Sequence, residues 1–227
     1  MKGPLSLDPR RAAFLAIDLQ EEHRRDPRYL VEDFDDVLAN VQTLQRVARR
    51  AGIPVLHAQY VVDVRQGTPR PFHPMMPDGH SAFSALGDAA TAICPEVAPL
   101  DGETVIVKND ASVFSATETA RQLADWDIAW LMVTGVWSEA CVTASVNDAV
   151  VRGLHVVLVK DACASATRAM HQAAILNLAN RLYGGAVVDT PTACRLLAGE
   201  TVEAWQVRGS APLKYTFDDV ERLYGSL

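Results

Sequence analysis

Three residue types in this chain would together make an activated nucleophile: the thiol of Cys141, the ammonium of Lys108 and the carboxylate of Asp18. Cys141 lies in the run Val133-Thr134-Gly135-Val136-Trp137-Ser138-Glu139-Ala140-Cys141-Val142, where an apolar stretch ends at Gly135 and a helical pattern follows a short turn. A cysteine in the first turn of a helix feels the positive end of the helix dipole, which favours the thiolate. Asp18 closes the apolar run Ala12 to Ile17, and Lys108 closes the run Thr104 to Val107. Each has a plainer reading. A strand-end aspartate often caps the next helix, a lysine after an apolar strand snorkels outward, and the two charges suit a structural ion pair. A thiol at the end of a third strand shifts the balance towards chemistry.

The elements that must position these groups are legible from hydrophobic periodicity. Short apolar runs alternate with helical patterns, the signature of a three-layer αβα, Rossmann-like protein with a mostly parallel sheet. Six strands are predicted: Ala12 to Ile17, Pro54 to Tyr60, Thr104 to Val107, Ala129 to Thr134, His155 to Lys160 and Ala186 to Val188. Helices are predicted over Phe34 to Arg50, Ala116 to Trp126, Ser138 to Arg152, Thr167 to Tyr183 and Thr190 to Ala198. A last helix from Phe217 to Tyr224 is expected to dock on the body or on a second subunit. In such sheets ligands bind outside the C-terminal strand ends, which is where Asp18, Lys108 and Cys141 fall. Residues 61–99 are rich in proline and glycine and lack periodicity, yet hold Phe72, His73, Met75, Met76, His80 and Phe83. A loop of that length and apolarity reads as a pocket wall or lid.

Composition narrows the class. The chain has 227 residues, expected to form one domain (1–227), with 49% hydrophobic and 22% charged residues. A formal charge of −7 gives a nucleic-acid partner little electrostatic support. No apolar stretch reaches the ~18 residues a membrane span needs, and the N-terminus lacks a signal-peptide pattern. The four cysteines, Cys94, Cys141, Cys163 and Cys194, form no CxxC pair. Free thiols point to a reducing compartment, and a cytoplasmic protein is expected.

The segments Ala16-Ile17-Asp18-Leu19-Gln20, Lys108 to Thr117 and Thr134 to Val142 carry a family pattern. The middle one fits K-x-x-x-S-x-F-x-x-T at Lys108, Ser112, Phe114 and Thr117. With Val159-Lys160-Asp161-Ala162-Cys163 downstream, the chain resembles the isochorismatase-like cysteine hydrolases between Ala12 and Val188. The resemblance implies an Asp-Lys-Cys triad of Asp18, Lys108 and Cys141. It also implies a cis Val136–Trp137 peptide and an oxyanion hole made by the N–H groups of Trp137 and Cys141. Lys108 would hold Asp18 and lower the thiol pKa. Gln20, Tyr60, Phe72, His73, Phe114 and Trp137 are the residues expected to bind substrate. A homo-oligomer, dimer or tetramer, is expected.

Relatives that are nicotinamidases carry a metal site after the second strand, in a D-x-H arrangement. Here that stretch reads His57-Ala58-Gln59-Tyr60-Val61-Val62-Asp63, and the arrangement is missing. His57, His73 and His80 are weak candidates for a metal, so no metal and no cofactor are expected. Glu21-Glu22-His23 also departs from the family's usual rim. A thiol favours hydrolysis of a small amide, carbamoyl or ureide compound, since vinyl-ether hydrolysis needs none. The alternatives are an isochorismatase-type vinyl-ether hydrolase and a non-catalytic binding protein. Cys163, also after a strand, is the weaker nucleophile candidate; Cys94 and Cys194 read as packing residues.

Overall fold

The computed structural model describes residues 1–209 and 212–227. Its centre is a strand in which all six residues are buried, β2 (Ala12–Ile17), and a neighbour with six of seven buried, β5 (Trp130–Val136). Continuous apolar runs of this kind suit strands covered on both faces. β2 pairs in parallel with β3 (Val55–Tyr60), which pairs with β4 (Thr104–Lys108). On the other side β5 pairs in parallel with β6 (His155–Ala164), and β6 with β7 (Ala186–Val188). The chain thus leaves β2 in one direction and continues from β5 in the other. The crevice between β2 and β5 is the switch point of the sheet, the place where open α/β folds bind ligands.

Each of the six predicted strands is present, two with the predicted bounds and four with an end shifted by one to four residues. Among the described residues the sheet has eight strands rather than six, in the order β1-β8-β7-β6-β5-β2-β3-β4. The two extra strands are β1 (Lys2–Leu5) and β8 (Val202–Trp205), which pair antiparallel to each other; β8 is also antiparallel to β7. Each is four residues long, too short for alternation to stand out from a terminus or a loop.

The helices cover both faces. α2 (Phe34–Arg50) lays Phe34, Val37, Leu38, Val41, Leu44 and Ala48 against one face, together with α6 (Thr190–Leu197). The other face is covered by α3 (Thr117–Asp125), α4 (Thr143–Val151), α5 (Arg168–Ala179) and the C-terminal α7 (Val220–Ser226). A single-turn helix, α1 (Glu22–Arg25), follows β2. The tail docks on the chain's own body: Val220, Leu223 and Tyr224 pack on the core, and Lys160 Nζ donates to the Tyr224 carbonyl at 3.0 Å. The predicted helix from Ser138 begins instead as a π-helical turn, Ser138–Val142, before α4 takes over. Among the described residues no helix is long and apolar enough to cross a membrane.

β2 and β5 approach so closely at their ends that only glycine fits. Gly135 pairs with Ile17 at φ +116°, and a Cβ there would sit 2.1 Å from the Ile17 carbonyl oxygen. Overpacking and the unfavourable φ act together, so Gly135→Ala is expected to destabilise the protein by about 2–4 kcal/mol. A urea midpoint unchanged from the parent protein would contradict this contact.

Candidate active site

Asp18 is the first residue past β2 and takes φ +51°, a left-handed conformation that aspartate tolerates better than most residues. Its N–H still joins the sheet, donating to Ala58 O at 3.0 Å. Lys108 is the last residue of β4, and its Nζ donates to Asp18 Oδ2 at 2.7 Å and to Asp110 O at 3.2 Å. Both side chains are almost fully buried, at 0% and 4% exposure. Lys108 therefore does not snorkel, and Asp18 caps no helix. The ammonium also lies 4.8 Å from the centre of the Tyr60 ring. Burial works against the charged lysine, but Asp18 and then Cys141 outweigh it and hold its pKa above the usual value.

Cys141 is the fourth residue of the π-helical turn after β5. The turn is pinned by Val142 N–H donating to Trp137 O, five residues back, at 3.2 Å, and by Thr143 Oγ1 on Ser138 O at 2.6 Å. The fully buried Ser138 hydroxyl donates to Ala164 O at 2.9 Å and bonds His171 Nδ1 at 2.7 Å, and His171 Nε2 bonds the Tyr224 hydroxyl at 3.0 Å. The tail helix α7 thus helps hold the turn that carries the thiol. Burial lowers the His171 pKa to about 4, so this link is uncharged at neutral pH. The Val136–Trp137 peptide is cis.

Asp18 and Lys108 both act on the Cys141 thiol at short range, with opposite effects. Burial first, and the Asp18 carboxylate second, push the thiol well above the ordinary cysteine range; Lys108 pulls it down and is outweighed. The net direction is opposite to the expected resting thiolate and favours the protonated thiol. The helix-start argument failed because it left out desolvation, which opposes charge on a buried sulfur. Asp18 Oδ1, buried and without a hydrogen-bond partner among the described residues, is free to take a proton.

These groups open on a pocket of about 350 Å³ whose walls are Tyr29, Tyr60, Phe83, Val136, Trp137 and Ala140, with Asp18, Glu22, His23, Arg70, Ser84, Asp110, Ala111 and Cys141. Of the expected substrate-binding residues, Tyr60 and Trp137 line it. The Tyr60 hydroxyl donates to Asn109 O at 2.8 Å, and burial above all raises its pKa to about 12. The other four do not line it. Gln20 is fully buried and works as a brace: its side chain bonds Tyr60 O, Thr91 O and Tyr60 N–H at 3.1, 2.9 and 2.8 Å. Phe72 is 80% exposed. His73 bonds Ser81 Oγ at 2.8 Å and packs behind Phe83, with ring centres 5.0 Å apart. Phe114 is a core residue under the Arg152 guanidinium.

The 61–99 loop does form a wall, through Arg70, Phe83 and Ser84. The residues that sequence reasoning missed are Glu22, His23, Tyr29, Arg70, Ser84 and Asp110. The Glu21-Glu22-His23 departure was the one available signal. Trp137 Nε1–H donates to His23 Nδ1 at 3.3 Å, and burial lowers the His23 pKa, so the imidazole is neutral.

The other thiols have different surroundings. Cys163 is buried with Sγ 4.0 Å from Val133 O, and burial raises its pKa. Cys94 is pushed up to about 12, mainly by burial. Cys194 sits half-buried on α6, its pKa raised by burial. The histidines do not converge: His57 bonds Glu103 at 2.9 Å, His73 bonds Ser81, and the exposed His80 lies 3.2 Å from Asp78. Asp63, the acid after β3, is taken by Arg65. Among the described residues one cluster, Glu21, Cys94 and Glu96, has metal-binding spacing, and Arg24 already bridges its two carboxylates.

Comparison with known proteins identifies the family. The chain is 26% identical over 219 residues to the ureidoacrylate amidohydrolase of Cronobacter sakazakii, covering 87% of this chain and 93% of that one. It is 30% identical over 138 residues to N-carbamoylsarcosine amidase of an Arthrobacter species, covering 56% of this chain and 49% of the relative. The structure of a cysteine hydrolase from Pseudomonas syringae pv. phaseolicola superposes with a TM-score of 0.77 over 86% of this chain and 95% of that one; at 19% identity, this likeness speaks for the fold. The sequence model of the isochorismatase domain matches residues 12–192, most of the chain, and with the strand order and the pocket at its switch point this places the protein in the isochorismatase family of hydrolases.

Proposed function

We propose that the protein is a cysteine-dependent amidohydrolase that cleaves a C–N bond of a small amide, carbamoyl or ureide compound through a thioester. The observation that carries this reading is the meeting of a thiol and an unpartnered carboxylate oxygen at one pocket, with an ammonium bonded to that carboxylate from behind. Asp18 Oδ1 takes the Cys141 proton as sulfur attacks the carbonyl carbon. Lys108 keeps Asp18 aimed and offsets the negative charge. The Trp137 and Cys141 N–H groups are the donors for the oxyanion. Asp18 then passes the proton to the leaving nitrogen, which departs as ammonia or amine. A water that gives its proton to Asp18 attacks the thioester, and the tetrahedral adduct expels the Cys141 sulfur. That sulfur recovers the proton, and the acid is released. A reducing, cytoplasmic setting and a homo-oligomeric assembly belong to the same reading.

The test is a panel of small amides and ureides scored by ammonia release, with and without iodoacetamide. Turnover that stops on alkylation, with an acyl-enzyme mass during turnover, is the expected result. A vinyl-ether hydrolase would survive alkylation and release no ammonia. Because His57, His73 and His80 each serve a separate partner, activity is expected to persist after prolonged chelation. Loss that zinc, iron or manganese restores would overturn a metal-free mechanism.

A further inference from the structure

One pocket group has no part in the steps above. Glu22, in α1, is 5% exposed and lines the same pocket as Cys141. Its two oxygens accept separately from Ser84: Oε2 from the N–H at 2.9 Å and Oε1 from the hydroxyl at 2.5 Å. Both oxygens accept, the arrangement of a carboxylate, and each keeps a lone pair that Ser84 does not use.

The charges around the pocket are otherwise paired. Asp18 is matched by Lys108 and Asp110 by Arg70 at 2.6 Å. Glu22 has no ion-pair partner among the described residues, and burial lowers the pKa of its neighbour His23 against the opposing pull of Glu22. A buried carboxylate is costly to leave without a partner, so a bound ligand is the natural source of the missing positive charge. The walls suit the same ligand. Tyr29, Phe83 and Tyr60 form a continuous aromatic surface, with ring centres 5.7 and 5.6 Å apart. Arg28 and Lys108 already lie over Tyr29 and Tyr60, which leaves Phe83 as the ring with no cation on its face among the described residues, and aromatic faces attract cations.

We infer that Glu22 is a specificity-determining residue that selects amides bearing an ammonium group, held between its carboxylate and the aromatic wall. This rests on the amidohydrolase reading and narrows its substrate class. Three amides of like length separate the options: 4-aminobutanamide is cationic, pentanamide neutral and 4-carbamoylbutanoate anionic. Binding is read by calorimetry on the full chain carrying Cys141→Ala, which leaves the amide intact, and turnover is read on the wild type.

4-Aminobutanamide is expected to bind roughly 10- to 100-fold tighter than pentanamide, the scale of a charge-assisted hydrogen bond, with 4-carbamoylbutanoate weakest. Adding Glu22→Gln is expected to bring the cationic-to-neutral ratio close to one. Equal binding of all three, no binding of the cationic amide, a preference for the anion through Arg70, or a preference that survives Glu22→Gln would each overturn the inference. If Glu22→Gln does not fold, the ranking on the parent variant decides alone. The two readings fail separately. Binding preference without turnover of any amide sinks the amidase, and ammonia release without the preference sinks only the role of Glu22.

Discussion

Cys141→Ala is expected to lower kcat on any confirmed amide by about 10⁴-fold or more, the scale seen when a covalent nucleophile is removed. Cys163→Ala, Cys94→Ala and Cys194→Ala are expected to keep most of the activity. The reason is position, since all four thiols have raised pKa values and reactivity cannot be read from that direction alone. Cys141 alone lines the pocket with Asp18, whose free oxygen can take its proton. The same burial gives a second readout on the protein without substrate. Alkylation of Cys141 by iodoacetamide at pH 7 should be slower than that of an exposed cysteine and should climb with pH, because the neutral thiol predominates. Near-full turnover by Cys141→Ala would end the covalent mechanism. Rapid, pH-independent alkylation at neutral pH would instead indicate a resting thiolate.

The buried ion pair should show its dual role in a double-mutant cycle. Lys108→Met leaves the Asp18 carboxylate in a nearly dry site, and Asp18→Asn leaves the Lys108 ammonium there. Each single change is expected to cost about 3–5 kcal/mol, measured by urea unfolding, because it strands a buried charge. The double variant Asp18→Asn/Lys108→Met should recover most of that loss, since no charge is left unpaired. Activity should follow a different rule. Both single variants and the double are expected to lose at least about 10²–10⁴-fold in kcat, the usual contribution of a positioned proton carrier. Recovery of stability without recovery of activity separates the fold's need for the pair from the chemistry's need for it. If the double variant regained activity with stability, the pair would be structural only, and the binding-protein reading would gain.

Much of the architecture was legible because it rests on local patterns. A run such as Ala12 to Ile17 has no polar interruption and fits a strand buried on both faces, and the same holds for the core of β5 and β6. A charge directly after such a run, or a thiol in the first turn beyond it, falls near a strand end wherever the strand sits in the sheet. Asp18, Lys108 and Cys141 could therefore be singled out from the sequence. The edge strands β1 and β8 were not legible, because they take their order from each other across some 200 residues: Lys2 pairs with Trp205 and Leu5 with Val202. Nothing in either four-residue stretch specifies that pairing on its own.

Pocket lining was decided by tertiary structure. Phe72 and Phe83 belong to the same loop and look alike in sequence, yet one is 80% exposed and the other faces the pocket. Phe114 fits a family pattern beside Lys108, but the turn that follows β4 carries its ring into the core. Gln20 sits two residues from Asp18 and braces the backbone of Tyr60 instead of meeting a ligand. Glu22 acquires its place only because Ser84, 62 residues away, bonds both its oxygens. The surroundings of the Cys141 thiol follow from tertiary structure in the same way. The sequence by itself determined which groups stand at the strand ends, because alternating apolar runs and helices leave few other places for them. Whether the thiol rests protonated depends on desolvation and on its distances to Asp18 and Lys108, and those exist only once three separate strands have packed side by side.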